Sequence, residues 1–164
     1  MSGMSGHEAP VRGATNEWHT PSWITDALGP FDDDPALPGQ TDGLSRDWRG
    51  FVWLNPPYGP ECGHWMKRLA DHGNGIALTF ARTETKWFVE QVWKRAGRVL
   101  FFYGRLYFLK NGTERKGNAG APSCLIGYGP EAVHRLHQFQ AKHGGSLVVH
   151  WYPSSTKPQW VSGE

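Results

Sequence analysis

Four apolar residues, Phe51-Val52-Trp53-Leu54, run straight into Asn55-Pro56-Pro57-Tyr58, and this junction limits the chain's possible folds more than any other feature. A short continuous apolar run bounded by turn formers reads as a strand buried on both faces. Two successive prolines can extend neither a ladder nor a helix. They fix φ near −65° and push the residue before them into extended backbone. The chain must therefore build a covered sheet in which one strand ends in a stiff turn carrying an amide and a phenol.

Around that junction the sequence predicts alternating elements. Thr20 as cap, Pro21 as first helical residue and Gly29 as a left-handed stop bound a short helix with Trp23, Ile24, Ala27 and Leu28 on one face. Residues 30–36 read as a very short strand entering a turn, and 37–50, rich in Pro, Gly, Asp and Ser, as loop. A helix over 61–72, a strand over 76–80, a helix over 84–96 and a strand over 98–103 follow. Residues 104–123 read as a hairpin with a polar tip, then come a strand at 124–128, a helix at 130–142 and a strand at 147–151. The expected fold is α/β: a reduced Rossmann-like sheet, mostly parallel, with a terminal antiparallel hairpin. In such sheets ligands bind outside the carboxyl ends of the strands, where Asn55 and Arg82 fall.

With 164 residues, 38% of them apolar and 20% charged, the chain suits one folded domain. Residues 1–15 are expected to be disordered, 16–152 to form the domain and 153–164 to be a tail. No apolar run approaches the ~20 residues of a membrane span, and the first residues lack the apolar stretch of a secretory signal. Cys62 and Cys124 read as reduced thiols of a cytosolic protein, and Cys62-x-His64 alone is too few ligands for zinc. No metal is expected. A net charge of +2 neither requires nor excludes nucleic acid. Most of the nine tryptophans are expected in the core.

The chemistry of Asn-Pro-Pro-Tyr follows from its acceptors. An amino group conjugated to a purine is a poor nucleophile because its lone pair is delocalised into the ring. Two acceptors, one on each N–H, can hold it with that lone pair aimed at an electrophile. The Asn55 side-chain oxygen is one and the Pro56 carbonyl a second. The prolines hold that carbonyl in place beforehand, and Tyr58 offers a flat face to a base outside the helix. No general base is needed at the outset, since a proton can leave after the bond forms. By composition a polar-Pro-Pro-aromatic string arises in about one in a hundred chains of this length, so its position after a buried strand matters.

A series of strings in fixed order extends this pattern: Asn16-Glu17-Trp18-His19-Thr20-Pro21, Phe31-Asp32-Asp33-Asp34-Pro35-Ala36, Asp42-Gly43-Leu44 with Trp48, Asn55-Pro56-Pro57-Tyr58-Gly59, Ala81-Arg82-Thr83-Glu84-Thr85-Lys86-Trp87, Gly104-Arg105-Leu106-Tyr107-Phe108 and Ala121-Pro122-Ser123. Over residues 16 to 128 the chain resembles the small phage-type DNA N-6-adenine methyltransferases, a Dam-like family. The resemblance implies an S-adenosylmethionine-dependent enzyme acting on double-stranded DNA after base flipping. It also implies a cytoplasmic setting in a bacterial host and a phage or prophage origin. Whether the chain pairs as a homodimer is left open. By resemblance Asn55, Pro56, Pro57 and Tyr58 are catalytic. Trp18, Thr20 and Pro21 lie against the methionine end of the cofactor, and Asp34-Pro35-Ala36 begins the cofactor loop. The chain departs from the general pattern after Ala36: Leu37-Pro38-Gly39 replaces the glycine-rich continuation, and too little chain precedes Phe51 for the strands that usually grip ribose and adenine.

For DNA contact the candidates are Arg82, Lys86 and Trp87 beyond the second strand, and Arg105, Arg115 and Lys116 on the hairpin. A helix start with a packed Trp and a solvated loop tip are the structural alternatives for these two groups. His134, His137 and His143 read as surface. Two other functions stay open: methylation of a glutamine amide or an RNA amino group by the same chemistry, and an inactive relative kept for binding DNA.

Overall fold

The computed structural model of the protein describes residues 18–110, 113–114 and 119–149. The expected terminal segments, 1–15 and 153–164, lie outside the described residues, as do Arg115 and Lys116. In chain order the elements are β1 (Trp18–His19), α1 (Ser22–Leu28), β2 (Val52–Leu54), α2 (Cys62–His72), β3 (Gly75–Phe80) and α3 (Lys86–Phe88). A π-helical turn (Val89–Trp93) leads to β4 (Arg98–Phe101), β5 (Leu109–Lys110), β6 (Thr113–Glu114), β7 (Ser123–Tyr128), α4 (Pro130–His143) and β8 (Ser146–Val149).

Among the described residues the main sheet is five-stranded and open, in the order β2-β3-β7-β4-β8. Only β2 and β3 pair in parallel; β7 is antiparallel to both β3 and β4, and β8 is antiparallel to β4. The fold is thus mixed α/β, and the expected mostly parallel sheet is corrected. The reason lies in connection chemistry: parallel neighbours need a crossover, whereas an antiparallel return needs none. An antiparallel β7 can follow β4 without a crossover, and it inserts between β3 and β4. Even so, β2, β3 and β4 all point the same way, because β7 opposes both β3 and β4. A bridge from Asp33 to Val52 adds a further chain segment in that direction.

Each sheet face is covered. On one, Val52, Leu54, Ala77, Val99, Cys124 and Ile126 meet Trp65, Met66 and Leu69 of α2, with Phe88 and Val92. On the other, Trp53, Ile76, Leu78, Leu100 and Leu125 meet Ile24 and Leu28 of α1, with Leu136 and Phe139 of α4. Period-two alternation along each strand supplies both faces, so the strands are largely apolar, with Thr79 and Ser123 the buried polar residues among those described. In α2 the buried residues Cys62, Trp65, Met66, Leu69 and Ala70 keep helical spacing, and Gly73 ends the helix at φ 72°. Fully buried leucines such as Leu54 and Leu69 each contribute about 1.5–3 kcal/mol.

Three local expectations change. Pro21 is the cap of α1, not its first residue, no side chain caps that helix, and Gly29 is extended at φ −74°. A Cβ on Gly29 would lie 2.9 Å from the Thr25 carbonyl, so small size is what the position needs. Trp23 and Ala27 are exposed, leaving Ile24 and Leu28 as the buried face. The single helix expected over 84–96 is a short α-turn running into a π-turn, with the Lys94 N–H reaching the Val89 carbonyl at 3.2 Å. The Tyr128 hydroxyl donates to the Gln91 carbonyl at 2.6 Å, a partner 37 residues away that holds the wider turn.

Candidate active site

Because β2, β3 and β4 share a direction, their carboxyl ends open on one edge of the sheet. That edge carries Asn55 after β2, Ala81 and Arg82 after β3, and Phe102 and Tyr103 after β4. The start of β7 lies between the last two, where the Ala81 N–H donates to the Pro122 carbonyl at 2.8 Å and the Phe102 N–H to the Ser123 carbonyl at 3.2 Å. Asp34 joins the same edge, because it follows the bridge that aligns Asp33 with Val52.

At its centre the Tyr58 hydroxyl donates to Asn55 Oδ1 across 3.3 Å. An amide oxygen has two lone pairs, so this bond orients the Asn55 side chain and leaves it able to accept again. Pro56 is buried, Pro57 exposed and Asn55 half-buried. Among the described residues no N–H or O–H is directed at the Pro56 carbonyl. Two acceptors thus stand on adjacent residues at the end of β2. The Tyr58 ring stacks on Phe80 at 4.2 Å between centroids and 14° between planes, and Phe108 meets it edge-on at 6.2 Å. Burial raises the Tyr58 hydroxyl above the ordinary range of a tyrosine, which keeps it protonated and a donor. The Arg82 guanidinium lies over the Phe80 ring at 5.9 Å.

The three consecutive aspartates have different duties. Asp32 accepts from the Phe51 N–H at 2.6 Å and fastens the chain beside β2. Asp33 takes a two-point grip from Arg46, at 2.6 and 2.8 Å, and the Arg46 hydrogen bond holds its carboxyl below the usual range. Asp34 receives the backbone N–H of Ala36, yet burial pushes its carboxyl up to about 6. Desolvation outweighs that single bond, leaving a half-buried carboxylate that a cation would stabilise.

The loop 37–50 is built rather than loose. The Trp48 indole donates to the Gly43 carbonyl at 2.6 Å, and Trp48 stacks on Trp65 with centroids 6.2 Å apart. A Cβ on Gly43 would collide with the Pro35 carbonyl and lie 2.6 Å from Trp65 Cη2. Only glycine allows the loop this close to the segment after Asp34.

Of the residues expected to serve a cofactor, Asp34 and Ala36 are half-buried and Pro35 is buried at the edge beside Asn55. Thr20 is half-buried and Pro21 buried at the start of α1. Trp18 lies in β1, which pairs with β5 directly after Phe108, so this segment is tethered close to Tyr58; its side chain lies outside the described residues. Arg82 reaches the Tyr58–Phe80 stack. Trp87 does not: it packs over Gly63 of α2 and against Phe88 at 5.3 Å, as part of the core. Lys86 is exposed at the first turn of α3, and Arg105 is exposed beyond β4. His134, His137 and His143 are exposed on α4, with His143 packed against Phe139 at 4.7 Å. Sequence reasoning missed Phe80, Phe108 and Arg46. The apolar run of β3 hid Phe80 as one more core residue, and the Asp33–Arg46 pair spans thirteen positions of loop.

Cys62 is buried and His64 exposed, so they do not share a site, and burial pushes the Cys62 thiol up to about 12. Among the described residues no group of three or more metal-ligating side chains is assembled, and no helix is long and apolar enough to cross a membrane. Comparison of the chain with protein-family models, characterised proteins and solved structures finds no match.

Proposed function

We propose that this protein is an S-adenosylmethionine-dependent methyltransferase acting on the N6 amino group of adenine in DNA, as its resemblance to the phage-type Dam-like enzymes implies. One observation carries the reading. Asn55 Oδ1, oriented by Tyr58, and the Pro56 carbonyl, which has no donor among the described residues, are neighbouring acceptors at the carboxyl edge of the sheet. A conjugated amino group offers two N–H donors, and holding both turns its lone pair out of the ring.

The residues at this edge fit the methionine end of the cofactor. Asp34 is a half-buried carboxylate raised by desolvation, the environment an ammonium or sulfonium relieves. Thr20, Pro21, Pro35 and Ala36 would line that end. When bound, the cofactor supplies an electrophilic methyl group. Asn55 and Pro56 hold the acceptor nitrogen, and the Tyr58–Phe80 stack gives the base an aromatic wall. Arg82, against Phe80, is near enough to that wall to meet a phosphate of the same strand. The amino nitrogen sheds its proton after methyl transfer, which suits a site whose acceptors are neutral.

The test is incubation of the full chain with labelled methyl donor and, separately, DNA, RNA and protein, followed by identification of the modified residue. N6-methyladenine in DNA is expected, and none with Asn55→Ala. Label on RNA or on a glutamine amide would move the acceptor class; label on none would overturn the reading.

A further inference from the structure

We infer that Tyr103, Arg105 and Tyr107 form a stacking ridge that holds the target strand in single-stranded form beside the site. The inference rests on the DNA reading above, because it names how that substrate is held. Tyr103 is 78% exposed and Tyr107 52% exposed. They lie on the segment that leaves β4 and returns to Tyr58. Within it Leu106 and Phe108 are buried in the same core as Tyr58, while Arg105 and Tyr107 face outward. The Leu106 carbonyl accepts from the Ala119 N–H at 2.8 Å and the Tyr103 hydroxyl pairs with Ser146 Oγ at 3.1 Å, so the ridge is fastened at both ends. It crosses the sheet edge from β4 toward β2, about 14 Å at roughly 4.8 Å per strand.

Exposed rings on a fixed segment are costly unless something covers them, and the partner chemistry is marked by charge. Among the described residues Arg46, Lys67, Lys94, Arg95 and Arg135 are all paired with carboxylates. Among the described residues Arg49, Arg68, Lys86, Arg98 and Lys142 have no carboxylate partner, and neither do Arg82 and Arg105, which are the two that lie at the stack and on the ridge. Trp23 is also exposed, but its ring is taken by Phe139, stacked at 5.8 Å, and by His143. Tyr103 and Tyr107 have no aromatic neighbour among the described residues. Free rings interleaved with unpaired arginine are the elements of a single-strand surface, where rings stack on bases and cations meet phosphates. A duplex would instead ask for a broad positive face matching its groove.

The experiment is titration of the full chain with a labelled short single-stranded deoxyoligonucleotide and with its duplex, over a range of salt. The single strand is expected to bind more tightly. Tyr103→Ala with Tyr107→Ala should weaken single-strand binding by about 30-fold or more, while Tyr103→Phe with Tyr107→Phe keeps most of it. Arg105→Ala should flatten the slope of log affinity against log salt by about 0.7. Thermal unfolding of each variant should match the parent, since both rings lie outside the core. An alanine pair that binds like the parent, a phenylalanine pair that loses as much as the alanine pair, or a parent that prefers duplex overturns the ridge. These readouts need no methyl transfer. A parent that binds single strands through its rings but never methylates overturns the methyltransferase reading and leaves the ridge. A parent that methylates DNA while the alanine pair binds normally does the reverse.

Discussion

Tyr58 donates its hydroxyl to Asn55 Oδ1 at 3.3 Å while its ring stacks on Phe80 at 4.2 Å, so one side chain both aims the amide and walls the site. The two prolines between them hold the turn that makes this contact possible. The Asn55 amide is therefore oriented within the protein itself, and under the proposed function the strength of that arrangement can be measured.

Asn55→Ala should lower methyl transfer by about 10²–10³-fold, the cost of losing one positioned polar partner. Asn55 is half-buried and its bond to Tyr58 is local, so the fold should survive. Single-turnover rates beside circular dichroism check this; near-parent turnover in a folded variant would remove Asn55 from the chemistry.

Tyr58→Phe keeps the ring stack and deletes only the orienting hydroxyl. Turnover should fall by about fivefold, since a neutral hydrogen bond contributes about 1 kcal/mol. Tyr58→Ala should cost much more rate, and stability as well, because the aromatic pair with Phe80 adds about 0.5–1.5 kcal/mol beyond burial. Equal losses in both variants would assign the whole effect to the hydroxyl.

Asp34 makes stability depend on pH in a particular direction. Its carboxyl ordinarily titrates at 3.8 and burial moves it to about 6, so between these values the folded chain keeps a proton the unfolded chain has lost. That stabilisation is complete below about pH 4 and lost as pH rises through about 6. Asp34→Asn is neutral throughout. It should match the parent near pH 4 and exceed it by about 1–2 kcal/mol at pH 7.5 in urea unfolding, the shift being reduced by solvent screening of a partly exposed carboxyl. The same variant should bind S-adenosylmethionine more weakly, since the carboxylate is gone. Parallel stability profiles would show that Asp34 is not the titrating group.

Gly43→Ala should be destabilising, because the new methyl meets the Pro35 carbonyl and the Trp65 ring. Overpacking of this kind costs about 1–3 kcal/mol, and the segment after Asp34 must shift to relieve it. Cofactor titration should weaken along with thermal stability. Unchanged cofactor affinity in a destabilised variant would separate the 37–50 loop from the site.

Much of the local structure was legible in the residues. The helices expected over 61–72 and 130–142 form as α2, Cys62–His72, and α4, Pro130–His143. The runs at 51–54, 76–80 and 124–128 marked strands, which form as Val52–Leu54, Gly75–Phe80 and Ser123–Tyr128, because they are buried on both faces. The turn after Leu54 was legible for a covalent reason: two pyrrolidine rings restrict the backbone whatever surrounds them.

Strand order was not legible, since apolar runs encode burial but not neighbours. The insertion of β7 between β3 and β4 depends on antiparallel pairing with two strands distant in sequence, and the π-turn at Val89–Trp93 depends on Tyr128, far away in sequence. The same holds at the site. Sequence alone kept Asn55, Pro56 and Tyr58 close together, because only two residues of chain, both prolines, separate the amide from the phenol. Only the tertiary structure decided that Phe80 walls Tyr58, that Asp34 is desolvated while Asp33 is gripped by Arg46, and that Trp87 belongs to the core. Those outcomes are set by which surfaces meet when the sheet closes, a property of packing between distant segments and not of any one of them.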